Sequence, residues 1–460
     1  MHPAYILFGL FFLLIFAGVP IAAALGLAGT VVIPAYILFG LFFLLIFAGV
    51  PIAAALGLAG TVVIAIAGLG IMAVPTSVYT GMAKYPLLAI PMFVLAGAIF
   101  DRSGVAARLL RFASAIVGQG RGSLAVITIL VAMIIGGISG SGPACTAAVG
   151  GVMVAAMLKA GYPPAFAASV TAAAGSTDIL IPPSVAFIIY SVLVPSATVP
   201  ALFAAGVGPG ILACVMLIIP ALLLSLHYNF GAAQSREPRP KLWQSFKEAF
   251  WALMAPILIL GGLRTGWFTP TEAAVMAVFY GLVIGGCIYR SLTLRDIFEL
   301  LVESAETSAV ILIVVALASV FAWASSTLGI VDPIAKYLVE LGGSQLGVIT
   351  IIMLFLVIVG MFLDGISIFL IFLPLFVPVA EAFKWDLVWF GVLMTYNIAL
   401  GQFTPPMAVN LMVSCRLTGA PMEDTVRWVI WLLISMFIGL LLIIAFPAIA
   451  LWIPETLGFM

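Results

Sequence analysis

Pro182 and Pro183 interrupt an apolar, alanine-rich run that is otherwise long enough to cross a bilayer as one helix. The stretch reads Asp178-Ile-Leu-Ile-Pro-Pro-Ser184. Neither proline has a backbone N–H, and each pushes its predecessor out of the helical region, so the helix must break and leave carbonyls unpaired. Hydrocarbon offers no water to satisfy them. Broken backbone at that depth is tolerated only where it is buried in protein or lines a watery cavity. Asp178 points the same way, because a carboxylate inside a membrane segment marks a functional site by default. The pattern recurs at Gly401-Gln-Phe-Thr-Pro-Pro-Met407. Two broken helices at corresponding places in two halves of a chain are the sequence mark of a transporter's binding site.

The rest of the chain sets the medium. With 65% hydrophobic and 7% charged residues over 460 positions, it reads as an all-α polytopic membrane protein. A formal net charge of zero argues against nucleic acid as a partner. Cys145, Cys214, Cys287 and Cys415 are far apart and form no CxxC pair, so they read as small packing residues. His2 and His227 are placed poorly for metal work. There is no GxxxxGK[ST] nucleotide loop and no arginine-rich helix. Transport must then be driven by an ion gradient or be passive.

Residues 3–33 are repeated without a change as residues 34–64. Structural repeats drift, so complete identity reads as a recent duplication or an artefact of sequence assembly. One extra span would invert everything after it, and without it the chain has 460 − 31 = 429 residues. We therefore set residues 1–33 aside. Apolar spans are expected near 35–72, 86–101, 123–138, 199–226, 251–263, 269–289, 307–324, 345–360 and 428–452. Residues 102–121 suit an interfacial helix with Arg108 and Arg111 toward headgroups, and 290–306 a charged amphipathic segment. The first half, 34–227, holds a re-entrant hairpin at 136–160 and a broken helix at 165–195. The polar linker 228–249 has a cationic excess that favours the cytoplasmic side. The second half, 250–460, holds a hairpin at 360–383 and a broken helix at 387–415.

The halves are related. Leu124-Ala-Val-Ile-Thr-Ile129 matches Leu346-Gly-Val-Ile-Thr-Ile351 at an offset of 222, and the two Pro-Pro pairs match at 405 − 182 = 223. At that second offset Gly142 falls on Gly365. Such agreement implies two structural repeats, expected to be inverted so that both hairpins and both broken helices meet at mid-membrane.

The chemistry gathers at these four places, each with a blander alternative. Ser139-Gly-Ser141-Gly142 offers carbonyls and hydroxyls, the hard ligands a small cation needs, or else a small-residue packing seam. The carbonyls freed near Ile181 and Thr404, with the Thr404 hydroxyl, suit Na⁺, and half-helix N-termini suit an anionic substrate. The alternative is a pair of structural kinks. Ser141, Thr177, Ser184, Gln402 and Asn410 are the polar side chains at hand for a substrate. Asp178 and Asp364 are candidate ion ligands or proton carriers, or residues hydrogen-bonded to amides at helix ends. A third reading makes them the dyad of an intramembrane aspartyl protease, although no GxGD tract surrounds either. A passive channel is the remaining rival.

Four motifs, ISGS at Ile138–Ser141, AAAGSTDILIPPS at Ala172–Ser184, FTPTEAA at Phe268–Ala274 and GQFTPP at Gly401–Pro406, make the chain resemble the large, DctM-like membrane subunit of the tripartite ATP-independent periplasmic (TRAP) transporters. The resemblance covers essentially all of residues 34–452. It implies an elevator-type, Na⁺-coupled importer of small organic acids in the bacterial inner membrane, with no cofactor beyond the coupling ion. It also implies two partners, a periplasmic binding protein and a small four-helix membrane subunit. Carried onto matching positions, one Na⁺ site would use Ser139, Gly142 and the backbone near Asp178, Ile181 and Pro183. The other would use Gly365, Gly401, Thr404 and Met407. Asp178 departs from the pattern, standing where many relatives have glycine, as Gly401 does in the second half.

Overall fold

Apolar runs without water can satisfy their backbone only within themselves, and the chain answers with helices. The computed structural model describes residues 29–231, 239–329 and 343–459. Among them there is no strand. The helices are α1 (Gly29–Phe47), α2 (Ile52–Ile66), α3 (Ala73–Met82), α4 (Ala89–Arg102), α5 (Val105–Val117), α6 (Ser123–Ser139), α7 (Gly142–Lys159), α8 (Pro164–Ser176), α9 (Val185–Leu193) and α10 (Val199–His227). After the linker come α11 (Leu242–Arg264), α12 (Pro270–Leu282), α13 (Leu294–Thr327), α14 (Gln345–Gly360), α15 (Gly365–Ala382), α16 (Leu387–Gly401), α17 (Val409–Thr418), α18 (Met422–Ala445) and α19 (Ala448–Leu457). Eight described helices are long and apolar enough to cross a membrane, or nine if the bent pair Pro164–Leu180 and Val185–Leu193 forms one span.

Several expected spans are resolved differently, and prolines account for two of them. The run at 35–72 is two helices, parted at Gly49-Val50-Pro51, where Gly49 has φ +84° and Pro51 stands just before α2. The run at 428–452 likewise breaks at Phe446-Pro447. Conversely, the amphipathic segment 290–306 and the span 307–324 are one helix, the 34-residue α13. At about 1.5 Å per residue it spans roughly 50 Å, so one end must project beyond the hydrocarbon. The linker is shorter than expected, because Leu242–Ala249 already forms the first turns of α11. Its residues 232–238, and most of the first duplicated copy at 3–33, lie outside the described residues.

The described residues form two compact units. One comprises the described parts of Met1–Lys84, Val310–Val348 and Leu370–Ala382. Within it, Gly57 and Gly60 of α2 lie against Leu317 and Val320 of α13, and Phe42 and Phe39 of α1 pack on Phe321. The other unit comprises Tyr85–Ala309, Ile349–Phe369 and Phe383–Met460, and so draws on both halves of the sequence. All the candidate site residues belong to it.

In that unit α6 and α7 run antiparallel. The Thr128 hydroxyl lies 3.6 Å from the Met157 sulfur, and the Cys145 thiol 3.6 Å from the Ala132 carbonyl. The expected span at 123–138 is thus packed against α7, and Gly140 makes the turn between them. All four cysteines are free, and Cys145 and Cys214 are buried among apolar side chains. On α5 both arginines have partners within the protein. Arg108 donates to the Gly104 carbonyl at 2.9 Å and lies 3.7 Å from the Tyr289 ring centroid, while Arg111 pairs with Glu248 at 2.9 Å. Arg102 pairs with Asp296 and Glu299 at the start of α13.

Candidate functional site

The first break has the form its sequence demands. After α8, Thr177–Leu180 makes one 3₁₀ turn, Ile181 is extended, Pro182-Pro183 is joined by a cis peptide bond, and α9 starts at Val185. Hydroxyls in this stretch are spent on the freed backbone. Thr177 donates to Ala174 O at 2.8 Å, Ser176 to Ala173 O at 2.7 Å and Ser184 to Ile179 O at 2.6 Å. Each leaves lone pairs on the hydroxyl oxygen, and all three residues are fully buried.

The hairpin tip is seated on this break. Gly140, with φ +65°, forms the turn between α6 and α7. A side chain there would come within 2.7 Å of the Pro183 carbonyl, so only glycine lets the tip close on the broken backbone. The Gly140 N–H donates to Asp178 Oδ1 at 3.2 Å. Asp178 is wholly buried, and its other oxygen, Oδ2, has no hydrogen-bond partner among the described residues. The carboxylate thus points at the hairpin tip and carries unused acceptor capacity. Ser139 ends α6, but its side chain, like that of Ile138, lies outside the described residues.

The second break repeats the form with different chemistry. After α16, residues 402–408 leave the helix around a second cis bond, Pro405-Pro406, and α17 follows. Thr404 is buried and its hydroxyl donates to Leu400 O at 2.5 Å. Gly401 lies against the end of α14: a Cβ on Gly401 would stand 2.7 Å from the Gly360 backbone. Gly365, the first residue of α15, packs against Ile398 of α16. Met407 is 55% exposed, so its side chain is not part of a buried site; only its backbone remains available.

The two breaks meet through a pair of amides. Gln402 Oε1 lies against Gly142, at the start of α7, and accepts from Asn410 Nδ2 at 3.2 Å. Asn410 is fully buried, its Nδ2 also lies 3.5 Å from Ala172 O on α8, and its Oδ1 has no partner among the described residues. Of the polar candidates for a substrate, Gln402 and Asn410 are therefore brought to the first hairpin tip. Thr177 and Ser184 are engaged with backbone, and Ser141 precedes α7 in extended conformation.

Asp364 behaves differently from Asp178. Its Oδ2 accepts from the N–H groups of Ile366 and Ser367 at 3.1 and 3.2 Å, and its Oδ1 from the Ser367 hydroxyl at 2.5 Å. Oδ2 thus caps α15 while Oδ1 holds the Ser367 hydroxyl, and the residue is exposed. Buried Asp178 is tied to Gly140 instead, so the two acids do not share a proton as a protease dyad must. One residue that sequence reading passed over stands beside the second break. Asn397 is fully buried in α16, donates to Met353 O at 2.9 Å and leaves Oδ1 without a partner among the described residues. An amide inside an otherwise apolar helix was the available signal.

The family model described as "Tripartite ATP-independent periplasmic transporter, DctM component" matches residues 39–449. The chain belongs to that family. Among proteins similar to this TRAP permease is the C4-dicarboxylate TRAP transporter large permease protein DctM of Pseudomonas aeruginosa, 37% identical over 377 residues, which cover 81% of this chain and 87% of that protein. The sialic acid TRAP transporter large permease protein SiaM of Vibrio cholerae is 35% identical over 375 residues, covering 82% and 87% of the two chains. Both are named as permeases and not as enzymes. The solved YdaH transporter of Alcanivorax borkumensis shares the fold with this permease at a TM-score of 0.54 and 14% identity, over 81% of this chain and 87% of that one. The family motif Phe268–Ala274 has a structural role in this TRAP permease. Thr269 and Glu272 form a reciprocal capping box on α12, with Pro270 as the first helical residue.

Proposed function

We propose that this TRAP large permease carries out Na⁺-coupled import of a small organic acid across the bacterial inner membrane. A periplasmic binding protein would deliver the acid, and a small four-helix membrane subunit would brace the permease. The observation that carries the reading is the seating of the first hairpin tip on a Pro-Pro break, with Asp178 and Asn410 presenting buried oxygens that have no partner among the described residues. Hard oxygens without partners suit a small alkali cation. The first cation would sit among Gly142, Asp178, Ile181, Pro183 and Ser139. Gly365, Gly401, Thr404 and the Met407 backbone would form the second.

We infer further that the halves are inverted repeats. Supporting the repeat itself, the same 223 positions that part the Pro-Pro pairs also part the starts of α7 and α15, of α8 and α16, and of α10 and α18; inversion is inferred because it would bring both tips together at mid-membrane. Cation binding at both tips would order the hairpins, and the acid would dock near Gln402 and Asn410. Na⁺ couples transport only if it binds one state more tightly than the other, and ordering of the tips supplies that difference. An elevator motion of the hairpin-bearing unit would complete the cycle.

The test is uptake into proteoliposomes holding this chain, its small membrane partner and its binding protein. A panel of labelled acids, including a C4-dicarboxylate and a sialic acid, would be offered with and without an inward Na⁺ gradient. Uptake should require both the gradient and the binding protein. Thr404→Ala should raise the Na⁺ concentration for half-maximal uptake about tenfold, the loss of one charge-assisted oxygen ligand. Uptake indifferent to Na⁺ and to the binding protein would replace the coupled mechanism by a passive channel.

A further inference from the structure

An aromatic recess lies at the end of α10 that leads into the cationic linker. Trp428 of α18 stands edge-on to Phe166, Tyr228 and Phe230, with ring centroids 5.3, 5.2 and 5.8 Å away. Beside it opens a cavity of about 400 Å³ lined by Pro163, Tyr228, Phe230, Arg427, Trp428 and Trp431. The Arg427 guanidinium lies 4.6 Å from the Trp428 ring centroid and pairs with no carboxylate among the described residues, although Glu423 and Asp424 lie one turn before it on the same helix. Trp428 is 5% exposed and its indole N–H has no acceptor among the described residues. The recess thus combines a cation, an unmatched donor and apolar walls.

Its depth and surroundings select the ligand. It sits where the spans α10 and α18 end and begin, the level at which tryptophan, tyrosine and arginine meet headgroups. Below Arg427, the side chains of Trp431, Ile434 and Ile438 follow one another on the same helix stripe, each about half exposed. A charged head held at Arg427 would leave its hydrocarbon along that stripe, which a soluble phosphate cannot use. The same end of the molecule is basic. Gly122 N–H donates to Phe230 O, and Arg239 donates to Ala115 and Ile116 carbonyls, so Arg121, Arg239 and Lys241 gather near it. An excess of basic residues marks the cytoplasmic leaflet.

We propose that this recess binds the headgroup of an anionic phospholipid of the cytoplasmic leaflet, with Arg427 on the phosphate and Trp428 closing the apolar wall. The purified chain would be offered dioleoyl-phosphatidylglycerol and dioleoyl-phosphatidylcholine in competition, with retained lipid read by native mass spectrometry. Phosphatidylglycerol should be retained about tenfold in preference, as expected for one charge-assisted contact. Arg427→Gln should abolish the preference, Arg427→Lys should keep part of it, and Trp428→Phe should weaken retention while preserving the ring. Arg121→Gln should leave it intact. Thermal unfolding should rise with phosphatidylglycerol and not with inorganic phosphate. Equal retention of the two lipids, a preference that survives Arg427→Gln, an equal loss in Arg121→Gln, or the same stabilisation by inorganic phosphate would each overturn the assignment.

Discussion

Two aspartates in similar sequence settings come to opposite ends. Asp364 spends both oxygens on its own helix, so an amide should do nearly as well. Asp364→Asn is expected to leave stability almost unchanged, while Asp364→Ala should cost about 1 kcal/mol, the usual worth of a cap, measured by denaturation of the purified protein. Asp178 spends one oxygen on the turn of the hairpin. Asp178→Ala would strand the buried Gly140 N–H at a cost of about 1–3 kcal/mol. Hydrogen exchange should then quicken at the Gly140 turn and stay unchanged at Asp364. Glycine matters most where backbones touch. Gly401→Ala would drive a methyl into the Gly360 backbone, an overpacking worth about 1–3 kcal/mol in thermal stability. Gly261→Ala in α11, with open space around it, should be neutral or stabilising by up to about 1 kcal/mol.

At the scale of elements, breaks matter more than helices. Apolar runs make helices wherever water is absent, so position is set by where each run stops. Proline stops α1 before Pro51 and α18 before Pro447, and it opens both site breaks. The start of α12 shows a family motif acting through local structure. Removing the Thr269 hydroxyl should cost about 1 kcal/mol of stability and leave any Na⁺ dependence of uptake where it was. A shift in Na⁺ dependence with Thr269→Ala would mean that the motif touches the transport site. The Arg102 pairs with Asp296 and Glu299 are largely exposed and screened by solvent, so Arg102→Gln should leave the thermal unfolding midpoint almost unchanged.

At the scale of the whole chain, the duplicated segment is the first thing to test. The family match begins at residue 39, inside the second copy. Deletion of residues 3–33 should therefore give a 429-residue chain with the same stability and uptake as the full one. A chain that loses both would show that the first copy has a structural part to play. Class, the place of the breaks and the family were all legible before any coordinates. Apolar composition leaves helices as the form open to it, a double proline cannot continue one, and four motifs in order are specific. Residue contacts across the chain were not legible. That Gln402 reaches Gly142, 260 positions away, that Asp178 faces a turn while Asp364 caps a helix, and that Met407 points outward all depend on how helices pack. Nor did hydropathy show that α6 packs against α7, since it reports how apolar a run is and not what the run touches. Local chemistry dictates where a backbone must bend; which side chain meets the bend is set by distant segments brought together in packing.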